Sequence, residues 1–224
     1  MKLYILIGLL FLQYAVYAQK QDEAIVLEDK LIVFKEASNK SDSVYTLRKN
    51  EIFLLAENDG NEQNWIAIEI SQNKFSKHIA NQDVFITGFI PRSKIHLIDS
   101  LPKCEPSEIG LKFTIAKADT IIADNDVNLG YGLEIPLSMS FVVNDMFIEW
   151  KGSLLKQDHN LFDDLFNVVF KAGIFNTGQS KWVETYKLGD YFYIKQGCGD
   201  GAVSYEITWV IKDGKILQRM IDEI

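Results

Sequence analysis

Cysteine, histidine and proline are scarce in this 224-residue chain, with two, three and four copies. His78, His96 and His159 show no metal-ligand spacing. No nucleophile elbow around a serine, phosphate-cradling glycine loop or His-Glu-x-x-His motif occurs. No catalytic residue, metal ligand or cofactor is therefore assigned. Basic residues are also in deficit, 23 Lys and Arg against 31 Asp and Glu, for a net charge of −8. A surface of that sign repels phosphate backbones, and no basic stripe interrupts it, so nucleic acid and anionic membrane surfaces are disfavoured as partners. Beyond the N-terminus no apolar run is long enough to span a bilayer, because charges interrupt even the richest one, Leu161 to Phe175.

What is present begins with an export pattern. Lys2 precedes an apolar run from Leu3 to Leu12, and the small residues Val16 and Ala18 stand where a signal peptidase reads. The run is about half of the ~20 residues a spanning helix needs. The expectation is a signal peptide over residues 1–18, cleaved after Ala18, and a periplasmic or extracellular mature chain without stable membrane insertion. Removing Lys2, the only charge in the leader, takes the net charge from −8 to −9. In an oxidising compartment Cys104 and Cys198 read first as a disulfide. It would close a loop of roughly 100 residues, for which chain entropy gives ~4–5 kcal/mol. Two separate buried thiols are the alternative.

From Ala24 short apolar runs alternate with polar punctuation: Ile25 to Leu27, Leu31 to Phe34, Val44 to Leu47, Ile52 to Leu55 and Trp65 to Ile70. Strands of this length, rich in Ile, Val, Phe and Tyr, predict a small β-barrel over residues 24–100. The order of a Leu-Ile-Val-Phe strand, the turn Ala37 to Val44, the Lys-Asn-Glu strand at Lys49 to Leu55, the tryptophan strand at Trp65 and a closing GFIPRSKIHLI from Gly88 resembles a bacterial SH3 domain. That resemblance implies recognition of a peptide, a peptidoglycan fragment or an envelope protein. The loop Ser71 to Asp83 is long for the module and holds Phe75 and His78. Tyr45, Phe75 and Phe85, with Arg92 in the closing turn, are the candidates for a shallow binding groove, against the plainer role of barrel core.

Two of the four prolines fall in Ser100 to Ser107, which marks a linker or edge segment and a boundary near Leu101. Residues 101–224 are expected to form an α+β module of one antiparallel sheet and one main helix. Strands are expected around Leu111 to Asp124 and Leu137 to Gly152, with Asn144-Asp145 marking a turn. Leu161, Phe162, Leu165, Phe166, Val169 and Ala172 recur with helical spacing, with Asp163 and Asp164 in the first turns. Trp182 to Leu188, Tyr191 to Lys195 and Ser204 to Lys212 are further strands. Asp213-Gly214 between apolar runs signals a two-residue hairpin. The tail from Gly189 to Asp222 is similar to uncharacterised domains of exported bacterial proteins.

Three constellations bear on chemistry. Cys198 lies in Gly197-Cys198-Gly199-Asp200-Gly201, and with His159 or His78 as base it would suit a cysteine-dependent wall hydrolase. The hydrolases that accompany bacterial SH3 modules place cysteine before histidine, the reverse of the order here. Asp124 to Gly130 alternates oxygen side chains but puts Leu129 and Ile135 where a calcium loop needs Gly and Glu. Adjacent carboxylates such as Asp163 and Asp164 point about 100° apart on a helix. The reading is an exported, non-catalytic binding protein of mainly β architecture. The alternatives are the wall hydrolase and a structural or inhibitory envelope partner, and oligomeric state is not legible.

Overall fold

The computed structural model describes residues 21–56, 64–75, 85–105, 107–118, 130–132, 140–168, 183–199 and 204–223. The expected signal peptide, the acidic turn 124–129, His78 and Trp182 lie outside them. The described residues are mainly β, in three antiparallel sheets without an α-helix. None of their helical segments is long and apolar enough to cross a membrane.

The N-terminal part forms a seven-stranded sheet in the order β3-β2-β6-β5-β4-β1-β7. Its strands are β1 (Glu23–Ile25), β2 (Lys30–Phe34), β3 (Ser43–Arg48), β4 (Ile52–Leu55), β5 (Trp65–Ser71), β6 (Phe85–Pro91) and β7 (His96–Leu97). Val33, Leu47, Phe53, Ile66, Ile68 and Ile90 pack against one another although all belong to this one sheet, so the sheet curls around its own core. At Gly88 a Cβ would stand 2.5 Å from the Val33 side chain and 2.8 Å from the Phe34 carbonyl. Only glycine lets β6 approach β2 this closely.

The second part has a three-stranded sheet, β10-β9-β8, from β8 (Ile109–Lys117), β9 (Phe141–Trp150) and β10 (Ser153–Lys156). Its four-stranded sheet, β11-β12-β13-β14, is built from β11 (Val183–Leu188), β12 (Tyr191–Cys198), β13 (Tyr205–Lys212) and β14 (Lys215–Glu223). Asp213 and Gly214 take φ of 51° and 70° and close the β13–β14 hairpin, the backbone that Asp-Gly favours. The four-stranded sheet is the middle layer. Phe192, Ile194, Ile207, Trp209 and Ile211 face Val143, Met146 and Ile148 of the three-stranded sheet. On alternate residues Tyr193, Val210 and Met220 face Ile25, Ile52 and Leu54 of the curled sheet and Ile98 of the 3₁₀ turn that follows β7.

Two expectations are corrected. Residues 161–168 form no helix: a 3₁₀ turn, His159–Leu161, leads into an irregular segment whose Leu165 and Phe166 bridge to Tyr131 and Val142. Phe162, Leu165, Phe166 and Val168 are all buried, and Asp164 is drawn inward onto Arg219 by two hydrogen bonds of 2.9 and 2.7 Å. Asn167, at φ 51°, accepts from the Phe141 N–H and donates to the Gly132 carbonyl. Tertiary partners on several sides thus override the helical spacing. Residues 169–172 lie outside the described set. Asn144-Asp145 makes no turn; β9 runs through it, with a register shift opposite at Thr114/Ile115. The turn falls at Lys151-Gly152, both at positive φ.

The expected disulfide is also corrected, since Cys104 and Cys198 are both free thiols. The Cys104 N–H donates to the Thr185 carbonyl, and Thr185 pairs with Ile194. Cys198 lies four residues farther along β12, on the order of 13 Å at strand rise. A disulfide needs Cα atoms within about 7 Å.

Candidate functional site

The turn between β3 and β4 builds one wall of a cleft. Glu51 donates its backbone N–H to the Arg48 carbonyl, which closes a tight turn with Asn50 at φ 63°, a conformation asparagine tolerates well. The Glu51 carboxylate then accepts from the Tyr45 hydroxyl at 2.7 Å and from the Arg48 N–H at 2.7 Å. Burial, then the hydrogen bond to Glu51, pushes the Tyr45 phenol up to about 12, so it stays a donor at neutral pH.

The opposite wall is the middle sheet. Gln218 on β14 uses its side-chain amide as a strand would, accepting from the Ile52 N–H at 3.0 Å and donating to the Ile52 carbonyl at 2.9 Å. This pair of hydrogen bonds fixes β14 against β4 and sets the width of the gap. Tyr191, Val210 and Leu217 complete that wall, and Lys74 adds a further side. The resulting cleft has a volume of about 300 Å³, at the small end for ligand sites.

Its charge is the reverse of the protein's. Arg48, Lys49 and Lys74 line the cleft against Glu51, and among the described residues none of the three takes part in an ion pair. Asn50 is 5% exposed and its Oδ1 has no hydrogen-bond partner. A buried acceptor left so costs about 1–3 kcal/mol, and a ligand N–H would relieve it.

A second cleft, of about 360 Å³, lies where the turns at Lys151, Gly189-Asp190 and Asp213 meet Ser107-Glu108. Its cations are already engaged: Lys187 pairs with Glu108, and Lys151 stands 4.1 Å over the Trp150 ring. The first cleft therefore has the stronger demand for a ligand.

Of the four residues proposed from sequence, Tyr45 lines the first cleft and the other three do not. Phe75 packs against the core of the second part, and its carbonyl accepts from Arg219 Nε. Phe85 pairs with Ser71 and packs with the cluster around Tyr193 and Met220. Arg92 opens a 3₁₀ turn, Arg92–Lys94, and its Nη2 donates to the Trp65 carbonyl at 3.4 Å. Sequence reading missed Arg48, Lys49, Asn50, Lys74 and Gln218. The signal available was the Lys-Asn-Glu turn, where asparagine marks a left-handed position.

Neither thiol is set up as a nucleophile. Burial, then the bond to Glu108, pushes the Cys104 thiol up to about 11, and burial pushes Cys198 further still. A reactive cysteine needs the opposite shift. His159 rests edge-on against Phe162 at 5.0 Å.

A second polar cluster joins the layers. Lys195, 1% exposed, bonds Asp99 at 2.8 Å and stands 3.2 Å from Glu23 and 3.5 Å from Glu206, while Thr208 donates to Glu23 at 2.6 Å. Burial raises the Glu23 carboxyl to about 7 against the pull of Lys195. Burial opposes the Lys195 charge, but its carboxylates outweigh that and hold it above its ordinary range. Among the described residues no three His, Cys, Asp or Glu side chains gather as metal ligands would. No family model, curated protein or solved structure matches this chain.

Proposed function

We propose that this is an exported, non-catalytic binding protein whose N-terminal part, a bacterial SH3-like barrel, recognises a peptide, a peptidoglycan fragment or an envelope protein. The observation that carries the reading is the cleft between the curled sheet and the middle sheet, where three cations without ion-pair partners among the described residues line the same cleft as a buried, unpartnered asparagine oxygen. Export rests on the charged, apolar and small-residue pattern of residues 1–18. The raised thiols support a non-catalytic role over a cysteine hydrolase.

Calorimetric titration of the full chain with purified muropeptides and with soluble envelope proteins tests the role. Saturable binding that is lost in the Arg48→Ala/Lys49→Ala/Lys74→Ala variant is the expected result. Absence of heat with every ligand would overturn the reading. N-terminal sequencing of protein recovered outside the cytoplasm is expected to begin at Gln19.

A further inference from the structure

We infer that the cleft reads the C-terminal end of a peptide, taking its free carboxylate and its last amide N–H together. This rests on the binding role proposed above and narrows its ligand. Arg48, Lys49 and Lys74 supply positive charge to a site where Glu51 is already engaged by the Tyr45 hydroxyl and the Arg48 N–H. An arginine fork matches a carboxylate with two parallel bonds, and the lysines add point charge. Charge alone would admit any anion, but Asn50 Oδ1 is an acceptor and therefore calls for a donor on the same ligand. A fully ionised phosphate or sulfate offers none. A neutral internal peptide segment offers the N–H without the charge, and a neutral glycan offers hydroxyls without it. A peptide C-terminus carries both groups on one residue. Its last side chain would meet Tyr191, Val210 and Leu217, the last of which is 38% exposed. A volume of about 300 Å³ suits one or two small residues rather than a long segment.

Two sources present this chemistry, the stem peptide of a cell wall and the C-terminus of a protein, and they differ in chirality. The test is isothermal titration of the full-length chain at low salt with N-acetyl-D-Ala-D-Ala, N-acetyl-L-Leu-L-Ala and the carboxamide of each. The free acid of at least one is expected to bind ten-fold or more tightly than its carboxamide. Preference for the D,D acid assigns a wall peptide, preference for the L,L acid a protein terminus, and either supports the inference. Lys49→Ala/Lys74→Ala should weaken the acid about ten-fold and leave the carboxamide unchanged. Asn50→Gly, which keeps the left-handed backbone permitted, should weaken acid and carboxamide alike, by several-fold. Thermal melts of both variants matching the parent show that the fold is intact. Equal affinity for acid and carboxamide overturns the carboxylate inference and leaves the binding role standing. No binding by these four ligands, with muropeptides or envelope proteins still binding, overturns it in the same way. No binding by any of them overturns both.

Discussion

The two faces of the middle sheet are equally dry and chemically unlike. Toward the three-stranded sheet it presents Phe192, Ile194, Ile207, Trp209 and Ile211, a mainly apolar core that also encloses Gln196 and the Arg219–Asp164 pair. Toward the curled sheet the same strands present Lys195, Glu206, Thr208 and Gln218 among Tyr193, Val210 and Met220. An apolar face gains stability from area alone and tolerates small slips. A buried cation among Glu23, Asp99 and Glu206 gains little net stability, because desolvation offsets attraction, but it penalises every misaligned docking. The polar face therefore fixes where the curled sheet sits, and through Gln218 it fixes the width of the cleft.

The largest effect separates the faces directly. Lys195→Met leaves Glu23 and Glu206 buried without their cation and should cost ~3–5 kcal/mol in urea denaturation. The triple variant Lys195→Met/Glu23→Gln/Glu206→Gln should recover most of that loss. On the other face Ile207→Ala is expected to cost roughly 2–5 kcal/mol through the cavity it opens, and no change on the polar face should restore it. If the triple variant were no better than the single one, the polar face would be a source of stability rather than of alignment.

How much of this was legible follows the same division. The strands β2 to β6 and the Asp213-Gly214 hairpin could be read because alternation and turn chemistry are local. The buried polar groups could not, because a sequence pattern places Lys195 and Glu206 on one face, and Arg219 on the other, in solvent. Their partners are far away in the chain: Asp99 lies 96 residues from Lys195, and Glu23 lies 185 from Thr208. The helical stripe from Leu161 failed for the same reason, since Asp164 answers to Arg219 and not to its neighbours in sequence. Of the cleft, Tyr45 was found from the barrel pattern. Asn50 and Lys74 acquire meaning only when Gln218 brings β14 against Ile52, 166 residues away.

A smaller effect tests the polar face by pH. Glu23 is raised from an ordinary 4.5 to about 7 in the fold, so between these values the folded state holds more proton than the unfolded. Stability from this group is complete below about 4.5 and is lost as pH rises through 7. Lys195, Glu206 and Thr208 are the groups that face it, and Asp99 shares the Lys195 ammonium. Glu28, Glu108, Asp145 and Glu184 are held low and lose their contribution only under more acidic conditions. The melting temperature should therefore be a few degrees higher at pH 5.5 than at pH 7.5, and Glu23→Gln should flatten the difference.

The smallest effect concerns the thiols, which decide whether the layers are held by packing or by a covalent staple. With Cys104 near Thr185 and Cys198 beside Tyr205, the junction depends on side-chain packing and hydrogen bonds rather than on a covalent link. Cys104 is half-buried with its thiol raised to about 11, so it should react slowly with a thiol reagent in the native protein. Cys198, 1% exposed, should react only in denaturant, giving two thiols without reductant. Cys104→Ser should change stability by less than about 0.5 kcal/mol, whereas loss of a ~100-residue disulfide loop would cost several times that. Zero thiols in denaturant would mean the staple exists, and Lys195→Met would then loosen the docking without freeing it, so the two faces could no longer be compared by stability.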